Sequence, residues 1–266
     1  MEEHLRPNTF RELLRAGKPT LGTHMNTMSP AILEILGHTG MFDYVEFVAE
    51  YATFDLHDLD HYGRTAELYN LPAIIKIDQQ PRTFLAQRAV GSGFLGVLFA
   101  DVRTVEDARE CVRICKPETP EDGGIFGNQA RRFTYPGYGG TPQYVQHLRD
   151  LVVLLMVEKR ELVDDLENVL KVPGIDMIQW GGVDFSMSIG KPGQAGSPEV
   201  KAIEKTVIET AVRMGVPPRA EIGSPEQAQY YLDLGVRHFC IGWDLSILGQ
   251  WWKTNGEKMR KILETV

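Results

Sequence analysis

The sequence has few cysteines, and their arrangement does not suggest a disulfide framework. Cys111, Cys115 and Cys240 are an odd number for a chain of 266 residues, whereas small secreted domains that rely on disulfides are much richer in cysteine. Cys111 and Cys115 lie four residues apart in a helical pattern. No neighbouring Cys or His completes a metal site, so packing is the favoured interpretation for this pair. The cysteine content indicates a reducing, cytoplasmic environment.

Long hydrophobic runs and an excess of positive charge are also lacking. The longest apolar run covers residues 151–157, far short of the roughly 20 residues that a membrane-spanning helix needs. The segment MEEHLRPNTF at the start is acidic and polar, so no secretory signal is expected. Lys and Arg number 28 against 36 Asp and Glu, which gives a formal charge of −8 and argues against a nucleic-acid surface. We therefore expect neither membrane nor nucleic-acid binding, and a small molecule as the partner.

The residues that are present predict an α/β fold. The composition, 43% hydrophobic and 24% charged, is that of a globular protein with a large core. Continuous apolar segments alternate with amphipathic helical patterns, as in parallel sheets covered by helices on both faces. Eight such units predict a (β/α)₈ TIM barrel over a single domain, residues 1–266, with a doubly wound open sheet as the main alternative. The predicted strands cover residues 20–25, 45–50, 73–78, 95–100, 152–158, 176–181, 217–221 and 237–242.

One segment departs from this alternation. Residues 117–140 are rich in Gly, Pro and aromatic residues, and a loop of this length in a compact domain is usually functional or forms contacts. We expect it to follow the fourth strand at the carboxyl-terminal face of the barrel, where it would shape the active-site pocket. Residues 245–266 are expected to form a C-terminal helical segment.

Chemistry in a TIM barrel is carried by residues at the carboxyl ends of the strands. This rule selects several acidic and basic side chains, and several carboxylates at one rim suggest a hard divalent cation. Glu158 directly follows the apolar run, and Asp184 follows a Gly-Gly pair that lets a ligand approach the backbone. These two carboxylates are the candidate metal pair, and ion pairing with Lys159 or Arg160 is the alternative. The residues at the rim are His24, Glu50, Tyr51, Lys76, Asp78, Asp101, Glu158, Lys159, Asp184, Glu221 and Asp244.

The segment VLLMVEKRELVDDLENVLKVPGIDMIQWGGVDFSMSIGKPG, residues 153–193, resembles the HpcH/HpaI family of metal-dependent, class II pyruvate aldolases. The resemblance continues in FDYVEFVAEYATFD, LPAIIKID, VRTVEDARECVRICK and GVRHFCIGWDLSILGQ, and it spans most of residues 10–250. It places the family's two metal carboxylates on Glu158 and Asp184. It further implies a (β/α)₈ barrel whose C-terminal helix packs on, or is exchanged with, a neighbouring subunit of a trimer or hexamer.

The resemblance also implies an activity. Such enzymes cleave or form a 4-hydroxy-2-oxo acid through a pyruvate-type enolate, so the partners would be a 2-oxo acid and an aldehyde. The cofactor would be a divalent cation, Mg²⁺ or Mn²⁺ first, with Co²⁺ or Zn²⁺ as further options. Backbone N–H groups at Gly182, Val183 and Asp184 would bind the substrate carboxylate. His24 and Trp180 would lie near the substrate, although His24 is equally compatible with a structural role.

The sequence departs from the family pattern where the chemistry is most sensitive. The second-strand motif Asp-Gly-Glu-His becomes Val48-Ala49-Glu50-Tyr51, so only the Glu remains. The third-strand Arg becomes Lys76, which keeps the charge but loses the two-pronged geometry of a guanidinium. Met156 replaces a Gln, and Gly182 replaces a Pro. Lys76, Tyr51 and Glu50 are the candidate catalytic residues.

Each of these candidates has a plainer alternative. Lys76 could be an interior lysine paired with Glu50 or Glu158, and Tyr51 could shape the pocket only. A tyrosine titrates near 10 unless its surroundings shift the pKa, and a nearby ammonium group and metal ion could lower that pKa. Three hypotheses follow: a metal-dependent aldolase, a related lyase or decarboxylase with an altered substrate, or a homologue that binds a metal and a 2-oxo acid without turnover.

Overall fold

The computed structural model describes residues 6–266, and these residues form a closed barrel of eight parallel strands. Each strand pairs with its sequence neighbours, and the last strand pairs with the first. The α/β TIM barrel predicted from the sequence is confirmed, and the open sheet is wrong. The strands are β1 (Thr20–Met25), β2 (Tyr44–Val48), β3 (Ala73–Ile77), β4 (Gly96–Phe99), β5 (Val152–Val157), β6 (Met177–Trp180), β7 (Pro218–Ile222) and β8 (His238–Trp243).

Helices surround the barrel, and their starts follow from local sequence. Thr104 and Asp55 each form a capping box with an aspartate three residues later, and Ser197 caps the longest inter-strand helix, which satisfies N–H groups that the first helical turn leaves free. The helices are α1 (Thr9–Arg15), α2 (Pro30–Thr39), α3 (Leu56–Leu68), α4 (Arg82–Ser92), α5 (Val105–Cys115), α6 (Arg131–Thr134), α7 (Pro142–Arg149), α8 (Arg160–Asp164), α9 (Leu166–Leu170), α10 (Gly182–Ser188), α11 (Pro198–Met214), α12 (Ala228–Asp233) and α13 (Asp244–Leu263).

The apolar core lies in two layers, one between the strands and helices and one inside the barrel. The inner layer includes Ile74, Leu98, Leu154 and Met177. Phe10 of α1 closes its amino-terminal end by stacking on Tyr44 at a centroid distance of 4.4 Å. The interior is therefore packed at the bottom, as TIM barrels require, and a cavity opens toward the carboxyl ends of the strands.

The three cysteines are free and buried. Cys111 and Cys115 belong to the outer core layer, in agreement with the packing interpretation. Within residues 6–266, no helix is both long enough and apolar enough to cross a membrane.

The expectation for residues 117–140 is wrong in one respect. The segment follows α5 instead of β4, and it packs outside the barrel helices. Arg131 pairs with Asp60 of α3 at 3.0 Å, and Gln129 bonds to Gln87 of α4 at 2.6 Å. No residue of the segment is among those that line the central cavity. The composition indicates that the loop is unusual. It does not indicate whether the loop comes before or after α5, and this decides its position.

Candidate active site

A cavity of about 1040 Å³ opens at the carboxyl ends of β3 and β5 to β8. The residues proposed from the sequence that line it are Tyr51, Lys76, Glu158, Trp180, Gly182, Val183 and Asp184. Glu50 and His24 lie beside the cavity, where they contact lining residues. The structure therefore brings together residues that lie far apart in the sequence.

Glu158 is the carboxylate held most firmly at this cavity. It directly follows β5 and is only 2% exposed. Its Oε1 accepts a hydrogen bond of 2.8 Å from the backbone N–H of Asp101, a residue in the left-handed backbone conformation with φ of 54°. Burial raises the pKa of Glu158, and the nearby charge of Asp184 acts in the same direction, while the Asp101 hydrogen bond opposes both. Lys76 and Lys159 also lower the pKa, but they compensate a negative charge here only in part, so a further cation would stabilise it.

Asp184 approaches the same space from the first turn of α10 and is about half exposed. The approach depends on Gly181, because an added Cβ at that position would lie 2.7 Å from both Cβ and Oε2 of Glu158. The Gly-Gly pair seen in the sequence thus has a steric cause: the backbone passes against the Glu158 carboxylate.

Lys159 is a second cation at this rim. Its Nζ lies 2.7 Å from Asp101 Oδ1 and 3.3 Å from Asp184 Oδ1. The ion-pair alternative considered for Asp184 is therefore present in the structure. It does not exclude a metal role, since Asp184 remains half exposed and has a second oxygen free to bind a ligand.

The donor set fits a cation that keeps part of its water shell. Within the described part of the chain, no three His, Cys, Asp or Glu side chains are grouped as metal ligands. Two carboxylates, one buried and one exposed, match the way Mg²⁺ binds through one or two protein oxygens plus water and substrate. The absence of nitrogen and sulfur donors here does not match a structural zinc site.

Lys76 reaches the cavity from β3. Its Nζ lies 2.6 Å from Glu50 Oε2 and 5.5 Å from the Tyr51 ring centroid. Burial tends to lower the pKa of Lys76, but Tyr51, Glu50 and Glu158 outweigh it and raise the pKa. Lys76 is therefore a stable ammonium group. The predicted pair with Glu50 exists, and Lys76 also faces the cavity.

Glu50 and Tyr51 do not lie on a strand. β2 ends at Val48, shorter than the predicted 45–50, and Ala49–Tyr51 form a 3-10 turn at the rim. Burial raises the pKa of Tyr51, and this effect exceeds the opposing influence of Lys76. Lys76 therefore acts in the expected direction, but the pKa of Tyr51 is raised overall, so Tyr51 is a neutral phenol at neutral pH.

Trp180 forms one wall of the cavity. It packs on Phe185 of α10 with ring centroids 4.7 Å apart. An added Cβ at Gly182 would lie 2.9 Å from the indole Nε1, so Gly182 lets the turn pass close to the ring.

His24 lies deeper in the barrel and is 4% exposed. Its Nε2 is 3.3 Å from Glu46 Oε1, and its Nδ1 is 3.4 Å from Glu221 Oε1. Glu46 in turn forms an ion pair with Arg219, and both side chains are fully buried. Although burial opposes ionisation, the Arg219 guanidinium lowers the pKa of Glu46.

Sequence reasoning missed Glu46, Gln179 and Arg219. The available signal was a charged residue inside an otherwise apolar strand, in YVEFV for Glu46 and in PRAEI for Arg219. Buried charges are nearly always paired. Glu46 and Arg219, however, lie far apart in the sequence, so neither partner can be identified from the strand of the other.

Comparisons with known proteins identify the family to which the chain belongs. The family model for HpcH/HpaI aldolase/citrate lyase matches residues 21–246. The 2-keto-3-deoxy-L-rhamnonate aldolase of Escherichia coli (strain K12) is 28% identical over 238 residues, which cover 89% of this chain and 87% of that protein.

Solved structures show the same architecture. An HpcH/HpaI aldolase/citrate lyase family protein from Burkholderia cenocepacia J2315 superposes with a TM-score of 0.84 at 25% identity, covering 96% of this chain and all (100%) of that one. The citrate lyase beta subunit of M. tuberculosis, solved with oxaloacetate and magnesium, has a TM-score of 0.55 at 11% identity, covering 86% and 93%, and shows likeness of fold alone. The chain belongs to the HpcH/HpaI aldolase/citrate lyase family of carbon–carbon lyases.

Proposed function

We propose that the protein is a metal-dependent aldolase that cleaves or forms a 4-hydroxy-2-oxo acid through a pyruvate-type enolate. The observation that carries this proposal is the meeting of buried Glu158, half-exposed Asp184 and the Lys76 ammonium group at one cavity. Enolate formation places negative charge on the C2 oxygen, and fixed positive charges in a water-poor site stabilise such a charge strongly.

Glu158 and Asp184 would hold the cation, which we propose to be Mg²⁺ or Mn²⁺, with Co²⁺ or Zn²⁺ as less favoured options. When bound, a divalent cation supplies Lewis-acid polarisation of the substrate's carbonyl oxygen. The protein would fix the two carboxylates after the adjacent strands β5 and β6. Water and substrate would fill the remaining coordination positions of the cation.

The other proposed site residues bind and orient the substrate. Backbone N–H groups at Gly182, Val183 and Asp184 would bind the substrate carboxylate, as free N–H groups of a first helical turn do. Lys76 would donate a hydrogen bond to the forming enolate oxygen, with Glu50 fixing its Nζ. Tyr51, a neutral phenol, would bound the pocket and donate a hydrogen bond, and Trp180 would exclude water from one side.

The proposal is tested by proton–deuterium exchange at pyruvate C3, followed by NMR with Mg²⁺ or Mn²⁺. We expect exchange that depends on the metal and that is lost in Glu158→Gln. Glu161→Gln is the matched control, because Glu161 is exposed on α8 and should leave exchange unchanged. Absence of exchange in the wild type with metal bound would contradict the pyruvate-aldolase proposal.

A second candidate function follows from Lys76 and Tyr51, which stand where the HpcH/HpaI family pattern has Arg and His. Such a site could release carbon dioxide from a related 2-oxo diacid and pass through the same enolate. Product analysis separates the two: oxaloacetate converted to pyruvate indicates decarboxylation, and pyruvate plus an aldehyde converted to a hydroxy acid indicates an aldolase.

We also propose that the enzyme is a homo-oligomer, a trimer or a hexamer. Helix α13 exposes Ile247, Trp251, Trp252 and Ile262, each at least half accessible. An apolar face of this kind on a terminal helix is typical of a subunit contact.

A further inference from the structure

The proposed reaction needs a group that takes and returns a proton, and the residues assigned so far do not provide one. Cleavage must remove the proton of the C4 hydroxyl and then place a proton on C3. Val48 is apolar, Tyr51 is a neutral phenol, and Lys76 is an ammonium group paired with Glu50. Glu158 and Asp184 would be occupied with the cation. Another side chain must fill this role.

Glu221 is a carboxylate at the same cavity that the proposed function leaves unused. It lies on β7 and lines the cavity together with Lys76 and Glu158. Its side chain is 44% exposed, so a substrate can reach it. Its Oε2 accepts a hydrogen bond of 3.1 Å from Gln179 Nε2, and its Oε1 lies 3.4 Å from His24 Nδ1.

These contacts belong to a closed ring of five side chains, which we call the buried ring: His24, Glu46, Arg219, Gln179 and Glu221. From Glu221 the ring passes to His24, then to Glu46 at 3.3 Å, to Arg219 and to Gln179 at 2.6 Å, and returns to Glu221. Glu221 and Arg219 both line the cavity, but Glu221 alone of the five is exposed there, and the other four members are buried.

Such a ring has no evident value for stability alone. Barrel interiors are normally filled by apolar side chains, and a buried ion pair is often no better than an apolar replacement of the same size. The ring does fix the position of Glu221, because Gln179 of β6 donates a hydrogen bond to its Oε2 and the His24 ring of β1 lies 3.4 Å from its Oε1. A catalytic group needs this kind of support from residues behind it.

We propose that Glu221 is the acid/base residue of this enzyme and that His24 and Gln179 are positioning residues that act through it. This inference rests on the proposed function. In cleavage, the Glu221 carboxylate takes the C4 hydroxyl proton, and the O–H electron pair forms the C4 carbonyl. The C3–C4 bond breaks, and its electron pair forms the C2–C3 double bond of the enolate. Glu221 then returns the proton to C3 as the C2 carbonyl re-forms, so the carboxylate ends unprotonated.

The test compares Glu221→Gln and Glu221→Ala with the wild type in the pyruvate C3 exchange assay. We expect Glu221→Gln to lower the exchange rate at least about 100-fold, the usual contribution of acid–base catalysis. Pyruvate binding to the Mn²⁺-loaded protein, measured by water-proton relaxation, should stay within about threefold. Added formate should restore part of the rate in Glu221→Ala, since a free carboxylate can occupy the vacated space. Glu226→Gln is the control, because Glu226 is exposed on the turn after β7.

His24→Gln tests the positioning role. It should lower kcat and leave the KM for pyruvate unchanged, and circular dichroism should report an intact fold.

The outcomes separate the inference from the proposed function. If the wild type exchanges and Glu221→Gln exchanges at the same rate, the role of Glu221 is wrong and the aldolase proposal stands. A slow Glu221→Gln with weakened pyruvate binding and no formate rescue would make Glu221 a binding group and overturn the inference. Absence of exchange in the wild type would overturn both.

Discussion

At the scale of single residues, the site depends on a buried carboxylate whose charge is only partly compensated. Glu158 is buried, and its main fixed partner is one backbone N–H. Its raised pKa means that the folded state holds a proton at Glu158 more tightly than the unfolded state does. Stability from this group is therefore full below the unfolded pKa and is lost as the pH rises through the folded pKa. The ionised carboxylate therefore destabilises the metal-free fold.

The raised pKa of Glu158 leads to a prediction for Glu158→Gln. In metal-free buffer at neutral pH, the variant should melt a few degrees above the wild type, and the difference should shrink in mildly acidic buffer. Added Mn²⁺ should raise the melting temperature of the wild type, because an ion that binds only the folded state stabilises that state. It should leave the melting temperature of the variant unchanged. Differential scanning calorimetry measures both effects, with Glu161→Gln as the control. A variant that still responds to Mn²⁺ would show that Glu158 is not a ligand.

At the scale of elements, two strands on opposite parts of the chain share one buried charge pair. Glu46 of β2 and Arg219 of β7 are fully buried and ion-paired. Removing one partner leaves a buried charge without compensation, whereas removing both leaves an apolar interior. The two kinds of change should therefore differ greatly in their effect on stability.

We predict that Glu46→Leu alone or Arg219→Met alone lowers the free energy of unfolding by about 3–5 kcal/mol. The double variant Glu46→Leu with Arg219→Met should recover most of this loss. Urea denaturation of the three variants forms a double-mutant cycle. Additive losses in the double variant would contradict the pairing.

The strand ends show what local sequence can and cannot predict. All eight predicted strands exist, because an apolar run flanked by turn residues suffices to locate each. β5 was located to within one residue, and the position of Glu158 at its carboxyl end followed from that. β2 was predicted too long: the segment leaves the sheet at Ala49, which depends on contacts that the run VAEY does not reveal. Likewise, the Glu46–Arg219 pair is invisible until the barrel closes.

At the scale of the whole molecule, closure of the barrel converts scattered strand ends into one cavity. Closure itself could not be read from strand count, since an open sheet has the same pattern; the family resemblance decided it. The segment 117–140 was wrongly predicted to lie at the carboxyl-terminal face of the barrel, because composition does not show which face a loop occupies. It lies against α3 and α4 and lines no part of the cavity.

The whole molecule also carries an exposed apolar surface on α13. We predict that Trp251→Lys combined with Trp252→Lys shifts the protein from an oligomer to a smaller species, measured by size-exclusion chromatography with light scattering. Both side chains are 62% exposed, so a charge there should not disturb the fold of one chain. Tyr135→Lys is the control, because Tyr135 is an aromatic residue of the 117–140 segment that is even more exposed, at 81%. An unchanged mass in the double variant would exclude α13 from the subunit contact.

The central claim, a cation held by Glu158 and Asp184 that supports enolate chemistry, is tested most directly by deuterium exchange at pyruvate C3. The account predicts exchange that requires Mg²⁺ or Mn²⁺ and disappears in Glu158→Gln. Exchange that persists in Glu158→Gln, or that is absent from the metal-loaded wild type, would contradict it.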